Sequence, residues 1–338
     1  MFKKVFTLIL SIVSLTYLFF FSGFFSLNLN PTQSESLFFA TKIYLFSALT
    51  CFLIGEITKN YSQIDKIWSI IPIVYVWYFT IQSDFDSRML LMSTLVSIWG
   101  VRLTLNFARR GGYSIYFWKG EEDYRWKILR NKTPWLKRQL NWSLFNLFFI
   151  CFYQMGLIFL FTLPILAAWT GGNEISFFDY LIGFLMLLFI ILETISDQQQ
   201  YNFQTSKYQK IKLESELIGD YKRGFLTSGL WSYSRHPNFT CEQIIWIIFY
   251  LFSISATGEI LNWSIAGCIL LVILFYNSAK FSEEISAAKY PQYKEYQMNV
   301  PKFMGRYKSN WKYCFCCPYS KFFHYYFISN NSIHKQNV

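Results

Sequence analysis

The chain has 338 residues, of which 53% are hydrophobic, 22% aromatic and only 15% charged, too few charges to solvate the surface of an ordinary water-soluble domain. Its formal net charge is +11, but no nucleic-acid-binding motif accompanies it and no nucleic-acid partner is expected. The seven cysteines show no regular spacing in any predicted outer loop, which argues against structural disulfides.

Taken in chain order, apolar stretches of spanning length recur at 5–25, 37–54, 64–82, 89–107, 143–168, 176–196, 240–258 and 261–281. They predict an all-α, polytopic transmembrane helix bundle of about eight spans. Residues 5–25 follow a short basic start, as a signal peptide does. Their length and the lack of a small-x-small cleavage site predict a retained span instead.

Basic residues concentrate on the cytosolic side of membrane proteins. With Lys3 and Lys4 inside, eight spans place 1–4, 55–63, 108–142, 197–239 and 282–338 on that side, and these segments hold nearly all the Lys and Arg. Lys42, Arg88 and Arg102 are the exceptions, while the outer loops carry Glu35, Asp84, Asp86, Glu174 and Glu259. Both termini are therefore expected in the cytosol, and the basic inner face is expected to meet anionic membrane lipids.

No internal repeat or Pro/Gly-rich linker divides the chain. Three parts are expected: N-terminal transmembrane helices over 1–60, one membrane domain over 61–300, and a basic, aromatic cytosolic tail over 301–338. Segment 108–142 mixes Arg, Lys and aromatic residues as an interfacial helix does. In the tail, Cys314, Cys316 and Cys317 have the wrong spacing for a zinc site, so no metal is expected. Acylation of those cysteines is the better reading.

Ionisable groups at membrane depth are costly unless they serve a site. Glu193, Asp197, Gln200, Gln204 and Lys207 recur at steps of four and three residues, one face of a helix. A helix leaving the bilayer with a wet face would look similar, but Glu193 sits within "LLFIILET", still at hydrocarbon depth. Further on, Asn277, Lys280 and Glu284 share a face with Glu283 beside them, and Lys280 and Glu284 could also pair with each other. Tyr290, Tyr293 and Tyr296 follow, with ring faces and hydroxyls suited to a ring-containing ligand.

In "GLWSYSRHPNFTCEQIIW", residues 229–246, Pro237 is suited to start a helix. Arg235, His236 and Asn238 then crowd a helix N-terminus, which attracts phosphate or carboxylate groups. Glu242 falls in the first turns of that helix, where it either caps N–H groups or binds a ribose hydroxyl or an amide. The three clusters belong to the inner ends of spans six to eight and are expected to converge on one pocket.

These residues resemble the membrane steroid 5α-reductase superfamily, in its broad multispanning branch related to the C-terminal domain of steroid and sterol reductases. The carriers are "DKIWSIIP" (65–72), "WGVRLTLNFARRGGY" (99–113), "ETISDQQQYNFQ" (193–204), "GLWSYSRHPNFTCEQ" (229–243) and "KYPQYKEYQ" (289–297). The resemblance implies that 61–300 is a reductase-like membrane domain. It would hold NADPH and deliver hydride to a carbon–carbon double bond of a lipid or sterol-like substrate, in the endoplasmic reticulum or another internal membrane.

Carried over residue by residue, the resemblance implies cofactor contacts at Asp197, Arg235, His236 and Asn238, with Glu242, Lys280 and Tyr293. Glu193, Gln204, Lys207, Tyr233 and Glu284 complete the candidate cofactor-binding set. The steroid enzymes place a catalytic tyrosine three residues before an arginine. Here Trp99 precedes Arg102, and an indole N–H donates a hydrogen bond but supplies no proton. Asp65, with Trp68, is the substitute candidate on the substrate side.

Two other readings stand beside this one. Isoprenylcysteine carboxyl methyltransferases share an Arg-His-Pro element and a paired Glu-Glu, which Arg235-His236-Pro237 and Glu283-Glu284 resemble; they bind S-adenosylmethionine. Alternatively the chain is a non-catalytic structural subunit with partners in a membrane complex.

Overall fold

The computed structural model describes residues 27–116, 120–171 and 174–304. Among them the secondary structure is helical throughout, and six helices are long and apolar enough to cross a membrane. The protein is an all-α, polytopic helical bundle. The predicted span 5–25, the tail beyond Met304 and its three cysteines lie outside the described residues.

In chain order the helices are α1 (Pro31–Thr58), α2 (Gln63–Ile67), α3 (Ile71–Gln82), α4 (Ser87–Ala108), α5 (Tyr124–Lys132) and α6 (Gln139–Phe145). A π-helical stretch, Asn146–Tyr153, carries α6 into α7 (Gln154–Thr162), followed by α8 (Pro164–Gly171) and α9 (Phe177–Lys212). Then come α10 (Asp220–Arg223), α11 (Pro237–Thr257), α12 (Ile265–Lys289) and α13 (Tyr293–Asn299).

One predicted span is corrected. Residues 64–82 form the short α2, a turn, and then the 12-residue α3, about 18 Å long at 1.5 Å per residue, which is short of a hydrocarbon core of about 30 Å. The physical cause is Pro72 in the first turn of α3: it has no N–H to donate and its ring clashes with the carbonyl four residues back, that of Trp68. Predicted span 143–168 runs longer, from Gln139 to Gly171, and predicted span 261–281 extends to Lys289.

The chain forms two compact units. The first comprises the described residues of 1–191 with 242–276. Its core is built on large side chains, with Trp99, Trp142, Trp246, Tyr75, Phe161 and Phe249 all fully buried. Small residues let backbones approach: a methyl group on Gly267 would land on the Leu160–Phe161 backbone, and one on Gly171 on that of Ala256. Arg88, one of the basic residues outside the predicted inner segments, is buried and paired with Asp179 at 2.9 Å. It also donates to the Glu174 carbonyl at 2.8 Å.

The second unit comprises residues 192–241 and the described residues of 277–338. A small aromatic core of Phe225, Tyr293, Tyr296 and Val300 closes it. The Tyr296 hydroxyl donates to the Trp231 carbonyl, and the Trp231 indole donates to the Ser196 carbonyl at 3.2 Å.

Candidate functional site

In the second unit, Pro237 begins α11, so Arg235 and His236 stand just ahead of a helix N-terminus. Their backbone N–H groups donate to the carbonyls of Pro301 at 2.9 Å and Lys302 at 3.2 Å. The side chains turn inward and are 9% and 10% exposed. Arg235 Nε donates to Glu283 Oε1 at 2.7 Å and Nη2 to Oε2 at 3.3 Å. Nη1 donates to the Gln297 carbonyl at 2.8 Å and to the Val300 carbonyl. His236 Nε2 lies 3.0 Å from Glu283 Oε1, and Gln297 Nε2 donates to Oε2 at 3.1 Å.

Glu283 is thus the hub that the sequence reading missed as a site residue. The signal that could have found it is spacing: Ala279, Glu283 and Ala287 recur every four residues. A carboxylate between two alanines on one helix face marks the side that packs.

A second relationship joins Asn238 at the start of α11 to Asp197 on α9, with Nδ2 donating to Oδ1 at 3.2 Å. On the same faces, the buried Ser196 Oγ, Gln200 Oε1 and Asn238 Oδ1 have no hydrogen-bond partner among the described residues. Lys207, lower on α9, donates to the Gly224 carbonyl at 2.8 Å and to the Tyr290 hydroxyl at 3.3 Å. Glu193 is buried and Gln204 half-buried on that helix.

Tyr293 is buried against Phe225 and Tyr296, and burial holds its phenol above the ordinary value. Lys280, Glu284 and Tyr233 are exposed. The structure therefore brings together Arg235 with His236, and Asp197 with Asn238. It leaves Lys280 and Glu284 on an outer face of α12.

In the first unit, Trp99 on α4 donates its indole N–H to Glu242 Oε2 at 2.8 Å, and Trp246 donates to Oε1 at 3.1 Å. The two rings meet edge to face with centroids 4.9 Å apart. Two indoles thereby hold both oxygens of a carboxylate that is 4% exposed. From Trp246 the aromatic contacts continue to Phe161 at 4.1 Å and from there to Trp68 at 6.2 Å. Arg102 lies half-buried three residues beyond Trp99.

Asp65, on α2, lies under the 120–125 segment. Tyr61 N donates to Glu122 Oε1 at 2.8 Å, Asp123 N to Ser62 Oγ at 3.0 Å, and Asn60 Nδ2 to the Gly120 carbonyl at 3.0 Å. Burial pushes the Asp65 carboxyl up to about 6. The negative charge of Asp123 adds to the rise, while the Ser62 hydroxyl and Arg125 oppose it. A carboxyl in that range holds a proton and releases it near neutral pH.

Residues 51–300 match the family described as "Protein of unknown function (DUF1295)". The chain is 34% identical over 292 residues to an uncharacterized protein of Schizosaccharomyces pombe, covering 80% of this chain and 81% of that one. No solved structure matches it. Because the match spans most of the chain, including Asp65, Trp99, Arg235, Glu242 and Glu283, the chain belongs to the DUF1295 family.

Proposed function

We propose that the protein is a membrane oxidoreductase of the steroid 5α-reductase-like group, reducing a carbon–carbon double bond of a lipid or sterol-like substrate with NADPH. The observation that carries the reading is the Asn238–Asp197 bond together with three buried polar atoms, on Ser196, Gln200 and Asn238, that have no hydrogen-bond partner among the described residues. Buried polar atoms are rarely left unpaired, and a polar ligand such as a nucleotide would meet that demand.

NADPH supplies the hydride when bound. Asp197 and Asn238 would hold its polar groups. Arg235 and His236 act as the frame rather than the grip, because Glu283 and two carbonyls already take the guanidinium N–H groups. Trp99 gives its N–H to Glu242, so the proton for the substrate is assigned to Asp65. Glu193, Gln204, Lys207, Tyr233, Lys280, Glu284 and Tyr293 remain proposals as cofactor contacts, as does Arg102 on the substrate side. The enzyme is proposed to work in the endoplasmic reticulum or another internal membrane, with both termini in the cytosol.

The closed Arg235–Glu283 pair also favours a second reading, a non-catalytic subunit of a membrane complex, since the arginine assigned to a phosphate is occupied. Purified protein melted with NADPH, NADH or S-adenosylmethionine separates the readings. A ligand at 100 times its Kd stabilises by about 2.7 kcal/mol. NADPH is expected to raise the melting temperature, with Asp197→Ala abolishing the shift. Stabilisation by S-adenosylmethionine alone would overturn the reductase for a methyltransferase, and no shift with any of the three favours the subunit.

A further inference from the structure

Within the first unit, the segment from Tyr124 to Asn146 carries six cations and no acid. It comprises α5, a 3₁₀ turn at Pro134–Lys137, and α6. Lys127, Lys132, Lys137 and Arg138 are exposed. Trp135, Leu140 and Leu144 are exposed beside them, at 49%, 58% and 45%, so charge and apolar surface alternate as they do where a helix meets lipid headgroups.

Beneath that belt lies an aromatic floor. Trp142 packs edge to face on Tyr61 with centroids 5.2 Å apart, and both Trp142 and Trp126 contact Phe145, at 5.6 and 6.3 Å. The indole nitrogens of Trp126 and Trp142 and the Tyr61 hydroxyl are buried without a hydrogen-bond partner among the described residues. An indole N–H is a donor only. The floor therefore asks for an acceptor, and the belt above it asks for an anion. Arg130 bridges the two levels: its guanidinium lies over the Trp142 ring at 5.0 Å and donates to Gln139 Oε1 at 2.8 Å.

We propose that residues 124–145 form a seat for the headgroup of an anionic phospholipid, with its net negative charge held by the cations and its phosphate accepting from the indoles. The exposed Lys and Arg side chains collect the headgroup at the membrane surface. The indole nitrogens lie below that surface, so the phosphate reaches them by lifting Arg130 off the Trp142 face, after which Arg130 pairs with the phosphate. The inference stands independently of the reductase reading, because none of the side chains substituted in its test belongs to the clusters around Asp65, Glu242 or Glu283.

The test is lipid retention by the delipidated full chain in detergent, measured for phosphatidylserine and for phosphatidylcholine. Phosphatidylserine is expected to bind at least tenfold more tightly. Two variants are expected to reduce that affinity about tenfold with an unchanged melting temperature in phosphatidylcholine micelles: Lys127→Ala/Lys132→Ala/Lys137→Ala/Arg138→Ala, and Trp126→Phe/Trp142→Phe. If the indole variant melts early, the indole N–H NMR signals of the wild-type chain decide: downfield shifts of Trp126 and Trp142 on adding phosphatidylserine support the seat, and unmoved signals overturn it.

Equal retention of the two lipids would overturn the proposal. So would loss with the charge variant but not with a folded indole variant, which would leave surface charge alone. Displacement of phosphatidylserine by millimolar inorganic phosphate would make the ligand free phosphate and would also overturn it.

Discussion

Arg235 and Glu283 form a buried two-point ion pair, with Nε 2.7 Å from Oε1, and it ties the segment before α11 to the side of α12. Removing one partner strands the other charge in a poorly solvated place, at a cost of about 3–5 kcal/mol. Glu283→Ala is expected to lower stability by that amount in a detergent melt, and Glu283→Gln by less, since the amide still accepts from the guanidinium. Equal and small losses for both would show that the pair contributes nothing.

The same logic applies to Arg88 and Asp179, whose side chains are 2% and 0% exposed. Ser176 adds its backbone N–H and hydroxyl to Asp179 Oδ2 at 2.7 and 2.9 Å. Either single change to Ala is expected to cost about 3–5 kcal/mol, whereas replacing the pair by apolar residues of similar volume costs far less. The two single variants and the double variant, unfolded side by side, measure that non-additivity.

Asp65 should leave a pH signature. Its folded value of about 6 lies above the ordinary 3.8, so the folded chain binds the proton more tightly than the unfolded chain. Stability is then highest below about pH 4 and falls as pH rises towards 6, by about 2–3 kcal/mol at 1.36 kcal/mol per unit. Asp65→Asn is expected to flatten this part of the curve and to stabilise the chain at neutral pH. If Asp65 is the proton donor, the same variant also abolishes turnover, so unimpaired turnover removes it from that role.

Glu242 is the shared acceptor of two indole donors. Glu242→Ala leaves two buried N–H groups unpaired, at about 1–3 kcal/mol each, whereas Trp99→Phe removes one donor and leaves the carboxylate with the other. The expected order of destabilisation is therefore Glu242→Ala above Trp99→Phe. Indole fluorescence followed through urea or SDS unfolding reads both.

Gly267 and Gly183 make a controlled comparison inside helices. A methyl group at 267 collides with the Leu160–Phe161 backbone, but at 183 its nearest neighbours are Leu91 and Leu95 side-chain atoms at 3.5 Å, an ordinary contact. Gly267→Ala is expected to cost more than about 2 kcal/mol, in the range of overpacking. Gly183→Ala is expected to be neutral or slightly stabilising, because alanine is the better helix former. A melt of each variant settles the contrast.

The amino-acid order by itself determined the helical, membrane-spanning class, because apolar runs of spanning length recur in a chain with too few charges to solvate a surface around them. It also determined the helix start at Pro237 and the density of polar groups around it, both local properties of the chain. It predicted span 64–82 as one helix, since hydropathy averages over the break that Pro72 makes. Which polar groups meet was decided by tertiary structure alone. Arg235 could face a ligand or a carboxylate with equal local propriety, and Glu283, 48 residues away in sequence, takes it because a buried guanidinium must pair. Trp99 likewise looked free to donate until Glu242, 143 residues on, accepted its one N–H. Periodicity records which face of a helix is buried but not which side chain waits on the other side, and that choice needs the packed chain.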